Sequence, residues 1–205
     1  MSSSQSLSFK SFTGRLLITS PNAADDGNVA ILRTRPETRK YLRFLPEVFS
    51  AEDTRARRES RSKDPNVIDL YVYTLDASQK PTLAGMTGIF HIDNDHESCE
   101  VGIVISPDVY AKSFGTEALH SVLTFAFEEK GLHRAVFQTS ADNVAMRGWL
   151  EKVAEARQEG HIKECWKLGP GEWCDAVSYG ILAVEWTSRV KQRLEEKMKE
   201  TVQKN

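Results

Sequence analysis

Cysteine is scarce in this chain, and the little there is carries no pattern. Cys99, Cys165 and Cys174 are three in number with no C-x-x-C pair, so neither a disulfide framework nor a redox or zinc motif is expected. All three read as reduced thiols. His91, His96, His133 and His161 share no ligand spacing, and no metal site is expected. A surplus of charge is missing too. Lys+Arg 27 against Asp+Glu 29 leaves a net charge of −2, which argues against a broad nucleic-acid or membrane surface, and no aromatic–basic stripe points to nucleic acid. The opening Met1-Ser2-Ser3-Ser4-Gln5-Ser6 has neither a positive start nor a long apolar core. Neither a secretion signal nor a membrane span is expected there, so the default location is the cytoplasm, with the nucleus as an addition. There is no internal repeat.

What is present fits one α/β domain. At 205 residues the chain can close a substantial core without a second domain. Residues 1–14, serine-rich at the start, read as a disordered lead, residues 15–186 as the domain, and residues 187–205 as a charged C-terminal helix. Strand character begins at Leu16-Leu17-Ile18-Thr19, and the stripe Val29, Leu32, Arg33 behind Asp25-Asp26 predicts a helix. A second helix starts at Ser50, whose hydroxyl can cap with Asp53 three residues on. Its arginines, Arg55, Arg57, Arg58 and Arg61, could attract an acidic acceptor or a cofactor's phosphates, but such a charge run reads first as a solvated face. Val67 to Leu75 and Thr82 to Ile92 predict a hairpin, followed by a strand around Glu100 and a helix with Ala118, Leu119, Val122, Leu123, Ala126 and Phe127 on its core face. Ala135 to Thr139 predicts a strand and Asn143 to Val153 a helix. The strands His161 to Lys167 and Cys174 to Val184 flank the turn Leu168-Gly169-Pro170-Gly171. In the tail, a narrow stripe of Val190, Leu194 and Met198 among many charges predicts an exposed helix whose partner is either the domain or a second subunit. Monomer and homodimer both stay open.

The densest information lies between Glu100 and Glu117. The apolar strand Val101-Gly102-Ile103-Val104-Ile105 meets a turn at Ser106-Pro107-Asp108. The short loop Ala111-Lys112-Ser113-Phe114-Gly115 then opens directly into a helix. That handover aims unpaired backbone N–H groups and the positive end of a helix dipole at whatever lies over the loop, which suits a pyrophosphate.

With Gly131-Leu132-His133-Arg134, Leu150-Glu151-Lys152 and Gly171-Glu172-Trp173-Cys174-Asp175 through Tyr179, the stretch resembles the GNAT superfamily of acyl-CoA N-acyltransferases, in particular its Rim-type N-terminal acetyltransferase branch. The resemblance implies a mixed, mostly antiparallel sheet with helices on both faces, its fourth and fifth strands splayed for acetyl-CoA. Ile103, Val104 and Ile105 would pair with the pantetheine arm. The loop Tyr110, Ala111, Lys112, Ser113, Phe114, Gly115, Thr116 would cradle the pyrophosphate, and Asn143 would contact the cofactor. The family pattern is broken in three places, one being the glycine and aromatic that usually end the helix after Asn143, replaced here by Val153-Ala154-Glu155-Ala156. Of the loop's Gln/Arg, Gly and Gly/Ala positions, which fall on Tyr110, Ser113 and Gly115, only Gly115 conforms, and the serine of Asn-x-x-Ser is Met146.

Acetylating an amine requires a neutral nucleophile, stabilisation of the carbonyl oxygen and a proton for the departing thiolate. The resemblance assigns Glu100 as base or amine-orienting group, with Glu97 in reserve. A backbone N–H near Ile103 would serve the oxyanion, and Tyr179 would be the acid, with Tyr110 behind it. Arg39, Tyr41, Trp173 and Asp175 would contact the acceptor, a small-molecule amine or a peptide N-terminus attacking directly in a ternary complex. The substitutions at 113 and 146 keep a second reading open, a catalytically weakened acyl-CoA-binding or protein-interaction module.

Overall fold

The computed structural model describes residues 6–203. One eight-stranded sheet runs in the order β1-β2-β3-β4-β5-β6-β8-β7. Its strands are β1 Ser8–Lys10, β2 Leu16–Thr19, β3 Ile68–Leu75, β4 Pro81–Asp93, β5 Ser98–Ile105, β6 Arg134–Ser140, β7 Arg157–Gly169 and β8 Glu172–Leu182. Every pairing is antiparallel except that of β5 with β6. Because β1 precedes the first strand of the family pattern, that pattern's fourth strand is β5 here.

The helices are α1 Asp26–Thr34, α2 Pro36–Arg39, α3 Ala51–Arg61, α4 Phe114–Thr124, α5 Val144–Lys152, α6 Ala183–Glu185 and α7 Lys191–Gln203. The expected capping box opens α3, with Ser50 and Asp53 satisfying each other's backbone N–H groups. Strand alternation divides the layers. Val29 of α1 packs with Tyr71 and Tyr73 of β3 on one face. On the other, Leu16 and Val72 meet Ala118 of α4, while Leu119, Val122 and Leu123 join the main core with Leu150 of α5. Helices cover both faces as the resemblance implied.

Three expectations are corrected. Residues 1–5 of the expected disordered lead lie outside the described residues, but Ser8–Lys10 is a strand paired with β2. It is held there because Leu7 and Phe9 pack on the core and the Phe9 ring stacks on Phe125, centroids 6.1 Å apart. The C-terminal helix starts before residue 187 and is not exposed on all sides. α6, a π-helical turn at Trp186–Val190 and α7 run continuously, and Trp186, Val190, Leu194 and Met198 are fully buried. The narrow stripe docks on its own domain, on α4. The arginine helix is solvated only at Arg55. Arg58 is bound through two nitrogens to Asp26 and Arg61 to Asp69, and Arg57 is half-buried.

No helix among the described residues is long and apolar enough to cross a membrane.

Candidate active site

The parallel pairing of β5 and β6 is three residues long, Ser98 with Arg134, Cys99 with Ala135 and Glu100 with Val136. Beyond Glu100 the strands part, so the edge of Val101–Ile105 facing β6 has no strand partner and its backbone groups are open to a ligand. A cavity of about 720 Å³ fills this opening and extends under α1–α3. Register fixes which side chains face where. Glu100 pairs with Phe90, Gly102 with Gly88 and Val104 with Met86, while on the other side of β4 Gly88 pairs with Asp69 and Met86 with Tyr71, so Glu100, Asp69 and Tyr71 share the face covered by α1–α3. Ile103 and Ile105 point to the opposite face, against Ala118 and Phe114. Phe90 rests on Gly102, where a Cβ would come within 2.8 Å of the ring.

Of the residues expected in the site, Glu100, Ile103, Val104, Ile105, Tyr110, Ala111, Ser113, Phe114, Gly115, Thr116, Asn143 and Tyr41 line this one cavity. Glu100 stands at the apex of the opening, half-buried, with one carboxylate oxygen 3.0 Å from Nδ1 of the exposed His91. The loop before α4 turns twice through the left-handed region, at Ala111 (φ 61°) and Ser113 (φ 60°). Gly115 needs no such freedom. It lies in the first turn of α4, and a Cβ there would meet Ile105 Cγ1 at an ordinary 3.8 Å. Asn143 caps α5 by accepting from Met146 N at 3.1 Å and donates to Thr139 Oγ1 at 2.9 Å, which leaves one amide N–H for the cavity. Met146 lines the wall but has no proton to give.

The others stand elsewhere. Tyr179 is fully buried outside the cavity, its hydroxyl donating to Glu151 at 2.5 Å and accepting from Arg147 Nε at 3.2 Å. Burial and the Glu151 carboxylate both push that phenol's pKa up. The acid role expected of Tyr179 does not fit this position, which holds α5 to β8. Lys112 is exposed and does not line the cavity, although its carbonyl accepts from Arg15 at 3.5 Å. Glu97 is exposed beyond the narrow end of the opening, where its carbonyl accepts from His133 and Arg134. Arg39 braces the segment after α2, bonding the Leu45 carbonyl at 3.2 Å and Glu47 at 2.9 Å. Asp175 accepts from the Glu164 N–H at 2.8 Å and lies 2.7 Å from His161 Nε2, which ties down an irregular stretch of β7. Trp173 is half-exposed beside Lys167. The aromatic that reaches the cavity from this hairpin is Trp166, edge-on to Phe44 at 5.5 Å.

Several groups in or beside the cavity were not assigned to the site from the sequence. Trp149 Nε1 donates to Thr116 Oγ1 at 3.0 Å, joining α5 to the first turn of α4 across the opening. Glu117, wholly buried in that turn, accepts from Ser11, Thr13 and both Nε and NH2 of Arg15, whose guanidinium also covers the Phe114 ring. A lone carboxylate between Thr116 and Ala118-Leu119, in the first turn of a core-facing helix, was the available signal. Arg33 and Arg57 also line the cavity from α1 and α3. Among the described residues no group of three or more His, Cys, Asp or Glu is placed to hold a metal.

Residues 15–154 match the family model for the acetyltransferase (GNAT) domain. The chain is 30% identical over 146 residues to the uncharacterized N-acetyltransferase YnaD of Bacillus subtilis, covering 71% of this chain and 82% of that protein. It is 28% identical over 105 residues to YdaF of the same organism, provisionally named a ribosomal N-acetyltransferase, covering 51% and 56%. Among solved structures, a GNAT-family acetyltransferase of Bacillus anthracis superposes with TM-score 0.71 at 26% identity, over 87% of this chain and 99% of that one. The Vibrio cholerae spermidine N-acetyltransferase, solved with CoA and spermine, gives 0.75 at 20%, over 85% and 99%.

Proposed function

The chain belongs to the GNAT acetyltransferase family, and from that premise we propose that it acetylates a primary amine by direct attack in a ternary complex, with Glu100 addressing the amine. As an acetyltransferase of this type it uses acetyl-CoA, which supplies the activated acetyl thioester. The observation that carries the reading is the parting of β5 from β6 just beyond Glu100, which sets one carboxylate at the meeting point of an open strand edge and a cavity. The residues present fit the cofactor. The free backbone edge of Val101–Ile105 suits an extended amide-bearing arm, and the start of α4 directs N–H groups at an anion. Ser113 takes the left-handed conformation in which glycine is usual, so the loop keeps its shape without the family's glycine.

Glu100 orients the ammonium group and accepts its proton, with His91 at 3.0 Å able to relay it to solvent. The strand N–H groups next to Ile103 stand ready for the carbonyl oxygen. A peptide N-terminus of the Rim type is supported by the partial likeness to YdaF, and a small amine by the cavity's extension under α1–α3.

Calorimetric titration with acetyl-CoA and CoA, paired with an amine panel, tests the reading. Glu100→Gln is expected to lower kcat by about 10²–10⁴ with acetyl-CoA affinity unchanged. An unaltered rate would remove Glu100 from the chemistry.

A further inference from the structure

We propose that the acceptor is an amine that also carries an oxyanion, a carboxylate or phosphate group, and that Arg33 and Arg57 hold this anion at the far end of the cavity. The inference rests on the reading above and names the acceptor class for the same site.

Charges lining the cavity sort into partnered and unpartnered. Arg58 is committed to Asp26, with Nε and NH2 each 2.9 Å from an oxygen, and Asp69 is committed to Arg61 at 2.5 and 2.8 Å. Glu100 has His91, and the exposed Glu37 lies 3.7 Å from Arg35. Two cations are left over. Among the described residues neither Arg33 nor Arg57 makes an ion pair, and the Arg57 side chain makes no hydrogen bond. Arg33 Nε is buried with no hydrogen-bond partner, its guanidinium set over the Phe49 ring at 5.0 Å.

Half-buried guanidinium groups without a counter-ion are costly to the folded state. Burial, then the charge of Arg57, depresses the pKa of Arg33 to about 10, and burial followed by Arg61 lowers that of Arg57. Both remain cationic at neutral pH, and the planar fork of arginine matches the two oxygens of a carboxylate or phosphate.

Position separates this pair from the cofactor loop. Arg33 and Arg57 lie near Asp69 and Tyr71 of β3, two strands from β5 and therefore about 10 Å across the sheet. They are on the face that Glu100 shares. An acceptor with its amine at Glu100 would extend its other end toward them. A polyamine would bring further positive charge to these cations, so the spermidine specificity of the Vibrio cholerae neighbour is not expected here.

The test uses 4-(aminomethyl)benzoate and 4-(aminomethyl)benzamide, equal in shape and differing in charge remote from the amine. 4-(Aminomethyl)phenylphosphonate supplies the phosphate-like arm and spermidine the polycation. Each is titrated into the protein saturated with CoA, and acetyl transfer is measured in parallel. Benzoate or phosphonate is expected to bind at least tenfold more tightly than benzamide, and whichever leads identifies the anion. Arg33→Gln and Arg57→Gln should each collapse that preference toward one, with Arg57→Lys restoring part of it and acetyl-CoA affinity reporting an intact fold. Equal binding of benzoate, phosphonate and benzamide, or preference for spermidine, would overturn the proposal whether or not transfer occurs. Tight anion binding without transfer to any amine would instead overturn the catalytic reading and leave the anion site standing.

Discussion

Serine at 113 holds φ 60°, a conformation that costs a residue with a Cβ about 1–3 kcal/mol unless its surroundings fix it. Ser113→Val should therefore lower stability by about 1–3 kcal/mol and weaken acetyl-CoA binding, because a β-branched residue tolerates that region least. Ser113→Gly should leave stability within about 0.5 kcal/mol, since relief of strain is offset by a freer unfolded chain. Denaturant midpoints and calorimetry separate the two outcomes. The sequence pattern marked positions 113 and 115 as sites for glycine but not which needed positive φ. Backbone dihedrals put that demand on Ala111 and Ser113 rather than on Gly115.

Also at the level of single residues, His120 is buried between Phe12 and Trp186, with ring centroids 5.6 and 5.5 Å away, and 3.4 Å from a Glu195 oxygen without a hydrogen bond. Burial holds its pKa below the usual 6.5 against the pull of Glu195. The unfolded chain takes up a proton near 6.5 that the folded one refuses, so this contribution is present above that pH and is lost as pH falls through it. Urea midpoints should drop between pH 7.5 and 5.5, and His120→Gln should flatten that dependence. An equal slope in the variant would assign it to other groups.

Elements were legible where pattern and capping chemistry agreed. Ser50 with Asp53 announced α3, and Gly169-Pro170-Gly171 announced the β7–β8 turn. The C-terminal helix could be recognised but not assigned a partner, because Val190, Leu194 and Met198 among many charges look the same whether the domain or a second subunit lies beneath them. The partner, α4, is about seventy residues away in sequence, and no local pattern reports it. Leu194→Ala should cost about 2–5 kcal/mol by opening a cavity under this helix. Thermal melts check the figure, and a loss below about 0.5 kcal/mol would make the helix a loose appendage. Tyr179 illustrates a similar blindness. Its place on a late strand was readable, but the Glu151 and Arg147 side chains that occupy its hydroxyl come from a different element.

At the scale of the whole molecule, three parallel residue pairs are the sheet's entire connection between β1–β5 and β6–β8. A ligand along the free edge of β5 would touch both sides, and at one hundred times its Kd it stabilises the folded state by about 2.7 kcal/mol. Hydrogen exchange with and without acetyl-CoA should show added protection in β5, β6 and the first turns of α4 and α5, with little change in β1–β3. Uniform protection across the sheet would mean that the two halves already open together. That the sheet would part beyond Glu100 followed from family resemblance, since nothing in the apolar run Val101–Ile105 distinguishes a paired edge from an open one.

The C-terminal helix gives this seam a second meaning. Leaving β8 on one side and packing on α4 on the other, it straps the halves together on the face opposite α1–α3. A chain severed between α4 and β6 would therefore keep its pieces associated, because the trailing fragment carries its own clamp for the leading one. The protein is built like a split reporter, cut nowhere yet able to be cut there.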